Sequence, residues 1–280
     1  SVRASLATLF NTIELLPEAE TEARRALELR LREQGEDALD TLRARALLAR
    51  LLARTSQFET SKAQIDALAR AIGDSRDPQR RSLLAAASAT WAMNQGEYAA
   101  ALPAYQEAIA ALRLAEPDNS YMLDSLRMDL IGVLTQTGRL EQARREGETL
   151  IAEVNARDDD NGLVAAFAEA QVARTYTLGG DPDAAEARLL HAQGRIVALL
   201  GEGHTRNLMI LGDLYSVAMQ RRDWRKAIDY GQRAYAGLRQ KFGDEHNFTN
   251  IALANLAQAY YEGTQTQEAV PRLQTAYARL

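Results

Sequence analysis

The feature that most limits what this chain can become is a set of four residue columns recurring along its whole length. The clearest holds small residues: Ala19, Ser61, Ala101, Ala143, Ala185, Ala227 and Ala269. Its steps are 42 residues, apart from one of 40 between Ser61 and Ala101. Seven residues on, a second column reads Ala26, Leu68, Ala108, Leu150, Ala192, Ala234 and Ala276. A third reads Ala7, Ala49, Ala89, Ile131, Ala173, Tyr215 and Ala257. A fourth, three residues further, reads Phe10, Leu52, Ala92, Leu134, Tyr176, Ala218 and Tyr260. A fixed period of this length marks a repeat array in which each unit is one supersecondary element.

Each unit reads as two helices. In the last, Ile251 to Tyr261 carries Leu253, Leu256, Ala257 and Tyr260 at helical spacing. Gly263-Thr264 breaks it, and Gln267 to Leu280 forms a second helix with Ala269, Leu273, Ala276 and Tyr277 on one face. Gly138, Gly180 and Gly263 are expected at one turn position, where glycine tolerates the positive φ of a helix end. Leu16, Phe58, Tyr98, Leu140, Pro182, Trp224 and Thr266 are expected to open the second helices. Hydrophobic residues make up 46% of the chain and aromatics only 6%, so the apolar share is mostly Ala and Leu, which favour helix. Small residues where helices cross let the backbones approach, and a lone pair cannot bury both its faces, so each unit depends on its neighbours. The expectation is one all-α array over residues 1–280, with seven helical hairpins at about 1–34, 42–75, 82–116, 124–157, 166–200, 208–242 and 250–280.

Leu256-Ala257, Tyr260 and the Ala269-x6-Ala276 spacing resemble the tetratricopeptide repeat (TPR) family. The period near 42, with Gly201-Glu202-Gly203-His204 and Gly243-Asp244-Glu245-His246 between units, is similar to the kinesin-light-chain variety. The match is clearest in units four to seven and weakest in unit three, where Ser88 and Ala92 replace larger residues. The resemblance implies a right-handed α-α solenoid whose first helices line a concave groove. It also implies a protein or peptide partner and a place in bacterial signalling proteins, such as membrane-anchored winged-helix transcription regulators or Ser/Thr kinases. The expected role is therefore a non-catalytic interaction or sensory module of a larger bacterial signalling protein, a transcription regulator above all. A structural scaffold or assembly factor of the cell envelope is the alternative.

The remaining sequence removes other classes. There is no cysteine, hence no thiolate metal site or cysteine nucleophile, and neither a phosphate-binding G-x-x-x-x-G-K nor H-E-x-x-H occurs. No catalytic set, metal site or cofactor is expected. Asp158-Asp159-Asp160-Asn161-Gly162 lacks the spacing and later Glu of a calcium loop and reads as an acidic turn. His204 and His246 read as loop hydrogen-bonding residues, and Trp91, Trp224 and His191 as structural or surface residues. A net charge of -5 gives no reason to expect nucleic acid as a partner. No apolar run is long enough to span a membrane. Only 3 of the 33 basic residues are lysine, which with the alanine content suggests a GC-rich bacterial source. The compartment stays open between cytoplasm and the periplasmic part of a membrane protein. The start at Ser1 and the end at Leu280, inside a helical pattern, suggest an excised part of a longer chain or self-association through the C-terminal end.

The resemblance places binding residues beside the Leu-small pair of each first helix. In units two to seven the preceding position holds Leu47, Ala87, Asp129, Gln171, Asp213 and Asn255. Three residues later stand Arg50, Thr90, Gly132, Arg174, Ser216 and Gln258, and a turn later Arg54, Asn94, Gln136, Leu178, Gln220 and Glu262. The candidate groove is Arg50, Arg54, Asp129, Gln171, Arg174, Asp213, Asn255 and Gln258. Asn255 is similar to the Asn that grips peptide backbone in kinesin-light-chain repeats. Arg50 and Arg54, with Arg43, form a basic stripe suited to carboxylates. The opposing reading is a solvated face with internal pairs, such as Arg174 with Asp213.

Overall fold

The computed structural model describes residue 3 and residues 16–118, 120–157, 162–263 and 266–279. Among them every regular element is an α-helix. Residues 1–139 form one compact body and residues 140–280 another. The first contains α1 (Leu16–Gln34), α2 (Leu39–Arg54), α3 (Phe58–Ile72), α4 (Pro78–Asn94), α5 (Tyr98–Ala115) and α6 (Ser120–Gln136). The second contains α7 (Leu140–Asn155), α8 (Leu163–Leu178), α9 (Pro182–Leu200), α10 (Thr205–Gln220), α11 (Trp224–Phe242), α12 (Asn247–Glu262) and α13 (Thr266–Arg279).

The columns explain the packing. Every member of the small column, from Ala19 to Ala269, has no exposed surface. Ala49, Ala89, Ile131, Ala173 and Ala257 of the third column are equally buried. Ser61, the one polar member of the small column, donates its hydroxyl to the Ala49 carbonyl at 2.8 Å, so its burial leaves no donor unmet. Within the N-terminal body α2 packs on α4 and α4 on α6. Within the C-terminal body α8 packs on α10. Each of these joins the first helix of one pair to the first helix of the next, so first helices share a face, as stacked repeats require. Ala7, Phe10, Ala276, Tyr277 and Leu280 lie outside the described side chains, as do Asp158 to Asn161.

The second helices begin at Leu16, Phe58, Tyr98, Leu140, Pro182, Trp224 and Thr266, the column that marks their starts in the sequence. First helices open three or four residues ahead of the boundaries read from the columns, because their caps lie upstream of the apolar stripe. Asp77 accepts from the Gln79 amide at 3.0 Å, ahead of Pro78 at the first helical position. His204 and His246 cap α10 and α12 through Nδ1, accepting from the Arg206 and Phe248 amides at 3.2 Å. Their equivalent loop positions thus do equivalent structural work.

One turn recurs within the pairs. Ser56, Gly96, Gly138, Gly180 and Arg222 all have positive φ, between 57° and 80°. After each, the next amide (Gln57, Glu97, Arg139, Asp181, Asp223) donates to the carbonyl five residues back, at 2.9 Å. Those carbonyls belong to Leu52, Ala92, Leu134, Tyr176 and Ala218, the fourth column. This is the Schellman closure, which satisfies carbonyls that a helix end leaves open. Gly263 is not in this register: its φ is -78°, and it stands one residue before the equivalent position, Thr264, which lies outside the described residues. The expectation placed it with Gly138 and Gly180 because glycine identity outweighed the count. Arg222 shows that the position does not demand glycine.

Candidate functional site

In the N-terminal body the expected groove residues are tied to one another. Arg50 on α2 donates through Nε to Thr90 Oγ1 at 3.3 Å and through Nη2 to Ser125 Oγ at 3.4 Å. Its Nη1 faces Met122 Sδ at 3.0 Å. The nearest carboxylate oxygen, Asp129 Oδ2, stands 3.8 Å from Nη2. Tyr105, fully buried on α5, donates its hydroxyl to the same Asp129 oxygen at 3.2 Å. Burial, reinforced by the Asp129 charge, pushes the Tyr105 phenol well above its ordinary range, so it stays a donor. Arg54, a turn beyond Arg50, is exposed. Arg43 bonds Glu116 and lies 3.5 Å from Asp40. Arg50 is therefore engaged by α4 and α6, and Arg43 by Glu116 just beyond α5, links that no single helix discloses.

The same body holds a partly open cavity of about 310 Å³, walled by α2, α4, the first turns of α6 and the ends of α1 and α5. Ala44, Leu47, Leu83, Ala86, Leu112 and Leu126 supply its apolar surface, and Arg30, Asp40, Arg43, Arg50 and Glu116 its charges.

In the C-terminal body Gln171 and Arg174 stand one turn apart on α8, facing Asp213 on α10. Arg174 Nε lies 3.0 and 2.9 Å from the two Asp213 oxygens, and Nη1 is 3.4 Å from Gln171 Oε1. The internal pair allowed by the sequence is thus present. It engages Nε, and a third of the Arg174 side chain remains exposed, with its terminal nitrogens as donors. Burial raises the Asp213 carboxyl above the usual carboxylate range, against the opposing pull of the Arg174 charge. Gln258, exposed on α12, accepts from the Tyr215 hydroxyl at 3.4 Å.

Asn255 lines a second cavity of about 130 Å³, formed by α10, α11 and α12. Its walls are almost wholly apolar: Leu208, Met209, Ala234, Leu238, Phe248, Ile251 and Ala252, with Gly212 and Gly231. Met209, Phe248 and Ile251 remain 37%, 46% and 44% exposed. Glycine makes the room: a Cβ on Gly212 would meet nothing within 4 Å. The structure thus brings Asn255 to an apolar pocket, and Gln171 to Arg174 and Asp213.

Column reasoning overlooked three contributors. Tyr105 shares its second-helix position with Ala23, Ile65, Gly147, Leu189 and Gly231, so a lone phenol in a small or aliphatic column was the available signal. Phe248 and Ile251 lie off the core stripe of α12, which marks them as apolar residues without a buried column. Among the described residues no cluster of metal-ligating side chains occurs, and no described helix is long and apolar enough to cross a membrane.

Comparison with known proteins fits this arrangement. Residues 206–280 match the tetratricopeptide repeat family model. BtubC (BKLC) from P. vanneervenii is 20% identical, with a TM-score of 0.56 over 86% of this chain and 91% of that one. A Podosopora anserina protein named for the nearly identical TPR-like repeats of a kinesin light chain is 18% identical, with a TM-score of 0.55 over 73% of this chain and 96% of that one. Rap protein, in a complex with Competence and Sporulation Factor, is 13% identical and gives 0.79 over 99% of this chain and 76% of that one. A comparison with curated proteins gives no match. Residues 206–280 thus carry tetratricopeptide repeats in sequence as well as in structure, and the described helical pairs before them share the fold of that family.

Proposed function

We propose that this chain is a protein-interaction module and that its C-terminal body takes an extended peptide segment of a partner. The observation that carries the reading is Asn255 at the lip of an apolar cavity whose rim residues Met209, Phe248 and Ile251 stay exposed. A side-chain amide offers both a donor and an acceptor, as a peptide backbone unit does. The adjoining cavity suits an apolar side chain, and Gln171, Arg174 and Gln258 add polar contacts on the same set of first helices. The likeness to Rap protein in complex with a factor supports a sensory role within a larger bacterial signalling protein, a transcription regulator being the form we favour.

The test is capture of partners from the native host, followed by affinity measurements with the peptide segment mapped from them. Asn255→Ala combined with Gln171→Ala should weaken binding about tenfold or more while thermal melts stay matched. Gly212→Trp should block the cavity, since its Cβ meets no neighbour. Unchanged affinity in both variants would move the binding surface elsewhere.

A further inference from the structure

The cavity of the N-terminal body differs in chemistry from the C-terminal groove. Its charges are mostly settled at its mouth. Asp40 lies 3.2 Å from Arg30 and 3.5 Å from Arg43, while Glu116 accepts from Arg43 and Gln79. The three lining arginines face two lining carboxylates, and Arg50 is left to a long ion pair with Asp129, a residue outside the lining. The Arg50 side chain is only 14% exposed, its hydrogen-bond acceptors are two hydroxyls and a thioether, and its nearest carboxylate stands at 3.8 Å, outside hydrogen-bond reach. A thioether is a weak acceptor. A buried guanidinium gains most from a carboxylate that meets it in plane, and no lining carboxylate does so.

The walls supply the rest of the specification. On α2, Arg43, Leu47 and Arg50 form a stripe about 10 Å long. Leu47, Leu83 and Leu126 cover the space beside it. Beyond the charged groups the lining polar residues are Gln79 and Ser82, and the Ser82 hydroxyl already donates to the Gln79 carbonyl. No pair of side-chain amides lies here to meet a peptide backbone, the role proposed for Asn255 and Gln171 in the other body. The volume of about 310 Å³ equals that of roughly ten waters in the liquid.

We propose that this cavity binds a compact organic acid, its apolar body among Leu47, Leu83 and Leu126 and its single carboxylate on Arg50. Aliphatic and aromatic acids share this chemistry, and the probes separate them. The full chain is titrated calorimetrically with decanoate and with naphthaleneacetate, and with the neutral amide of each. At least one acid should bind, with its amide about tenfold weaker or worse. Arg50→Gln, which keeps a hydrogen-bonding side chain without the charge, should weaken the acid by a similar factor and leave the amide unchanged. Leu83→Trp, from a half-buried wall position, should abolish binding of acid and amide alike. Circular dichroism and thermal melts establish that both variants fold, and if Arg50→Gln does not, the comparison of acid with amide on the unaltered chain decides. Acid and amide binding equally would overturn the role of Arg50. Neither acid binding at millimolar concentration, or a short peptide of equal apolar content binding more tightly than both, would overturn the ligand class. Asn255→Ala should leave the acid affinity untouched, which keeps this result separate from that of the peptide groove.

Discussion

Three glycines of the C-terminal body allow one substitution to be read as a ruler of helix approach. Gly212 lies inside α10, and Gly231 and Gly237 inside α11. Replacing glycine with alanine in a helix interior gains about 1 kcal/mol, because the unfolded chain has fewer conformations to lose. That gain is common to all three, so differences report what the new methyl meets. At Gly212 it meets nothing within 4 Å, and the full gain of about 1 kcal/mol is expected, roughly a fivefold shift in the unfolding equilibrium. At Gly231 it would lie 3.3 Å from Leu256 Cδ1 and 3.4 Å from Leu256 Cα, so backbone as well as side chain resists, and the net effect should be near zero. At Gly237 it would lie 2.4 Å from Cδ2 of Leu208, which is only 3% exposed and must leave its position in the core. Such overpacking costs about 1–3 kcal/mol, so Gly237→Ala should be destabilised by about 1 kcal/mol after the helix gain. Urea denaturation followed by circular dichroism, with equal slopes, gives the three values. If Gly237→Ala proved as stable as Gly212→Ala, the close contact of α11 with Leu208 would be wrong.

Four further outcomes follow from the same geometry. Ala185→Leu, at a position without exposed surface, should cost about 1–3 kcal/mol in chemical denaturation, and a neutral result would mean the small column does not set helix separation. Ser56→Gly and Arg222→Gly should each stabilise by about 1 kcal/mol, since both hold positive φ with a side chain, and melts that do not rise would contradict the assigned turn. His246→Ala should cost about 1 kcal/mol while His246→Asn retains the cap of α12, and equal losses would show that the Nδ1 contact contributes nothing. Asp213, whose carboxyl is raised by burial, binds its proton more tightly in the folded state than in the unfolded one. Ionising it therefore removes stability as pH rises from the ordinary aspartate range through the higher folded value. Against Asp213→Asn, which cannot ionise, the wild-type protein should lose relative stability across that window, and parallel pH profiles would refute the shift.

The helices were legible because their signal is redundant. Seven small residues kept one register, and each marks a crossing that admits nothing larger, so the start of every second helix could be read from the column that ends in Trp224 and Thr266. The starts of first helices were not, because the caps differ from unit to unit: histidine at His204 and His246, aspartate at Asp77, and no side-chain cap at Ala38 or Gly162. For the candidate groove residues, columns could be read but contacts could not. Arg174 and Asp213 are 39 residues apart, close to one period, so their meeting was foreseeable from the register. The Arg50 cluster was not: Tyr105 comes from a second helix, in the unit whose first helix has Ser88 and Ala92 in place of larger residues. Gln193, which belongs to none of the columns, donates to the buried Asn207 at 2.9 Å. The cavities depend on atoms that are missing, such as the side chain of Gly212, and absence has no period.

The recurring Schellman turn uses only atoms of its own helical pair. From the third column to the small column the distance is always 12 residues, as in Ala49 to Ser61, Ala89 to Ala101 and Ala257 to Ala269. The single short step of the array falls instead between Leu68 and Ala89, across the connection from α3 to α4. The array's one change of length thus falls at a seam between pairs, while every turn keeps its count. A residue added at a seam leaves each pair intact, whereas one added inside a turn would rotate everything after it by about 100° around the second helix.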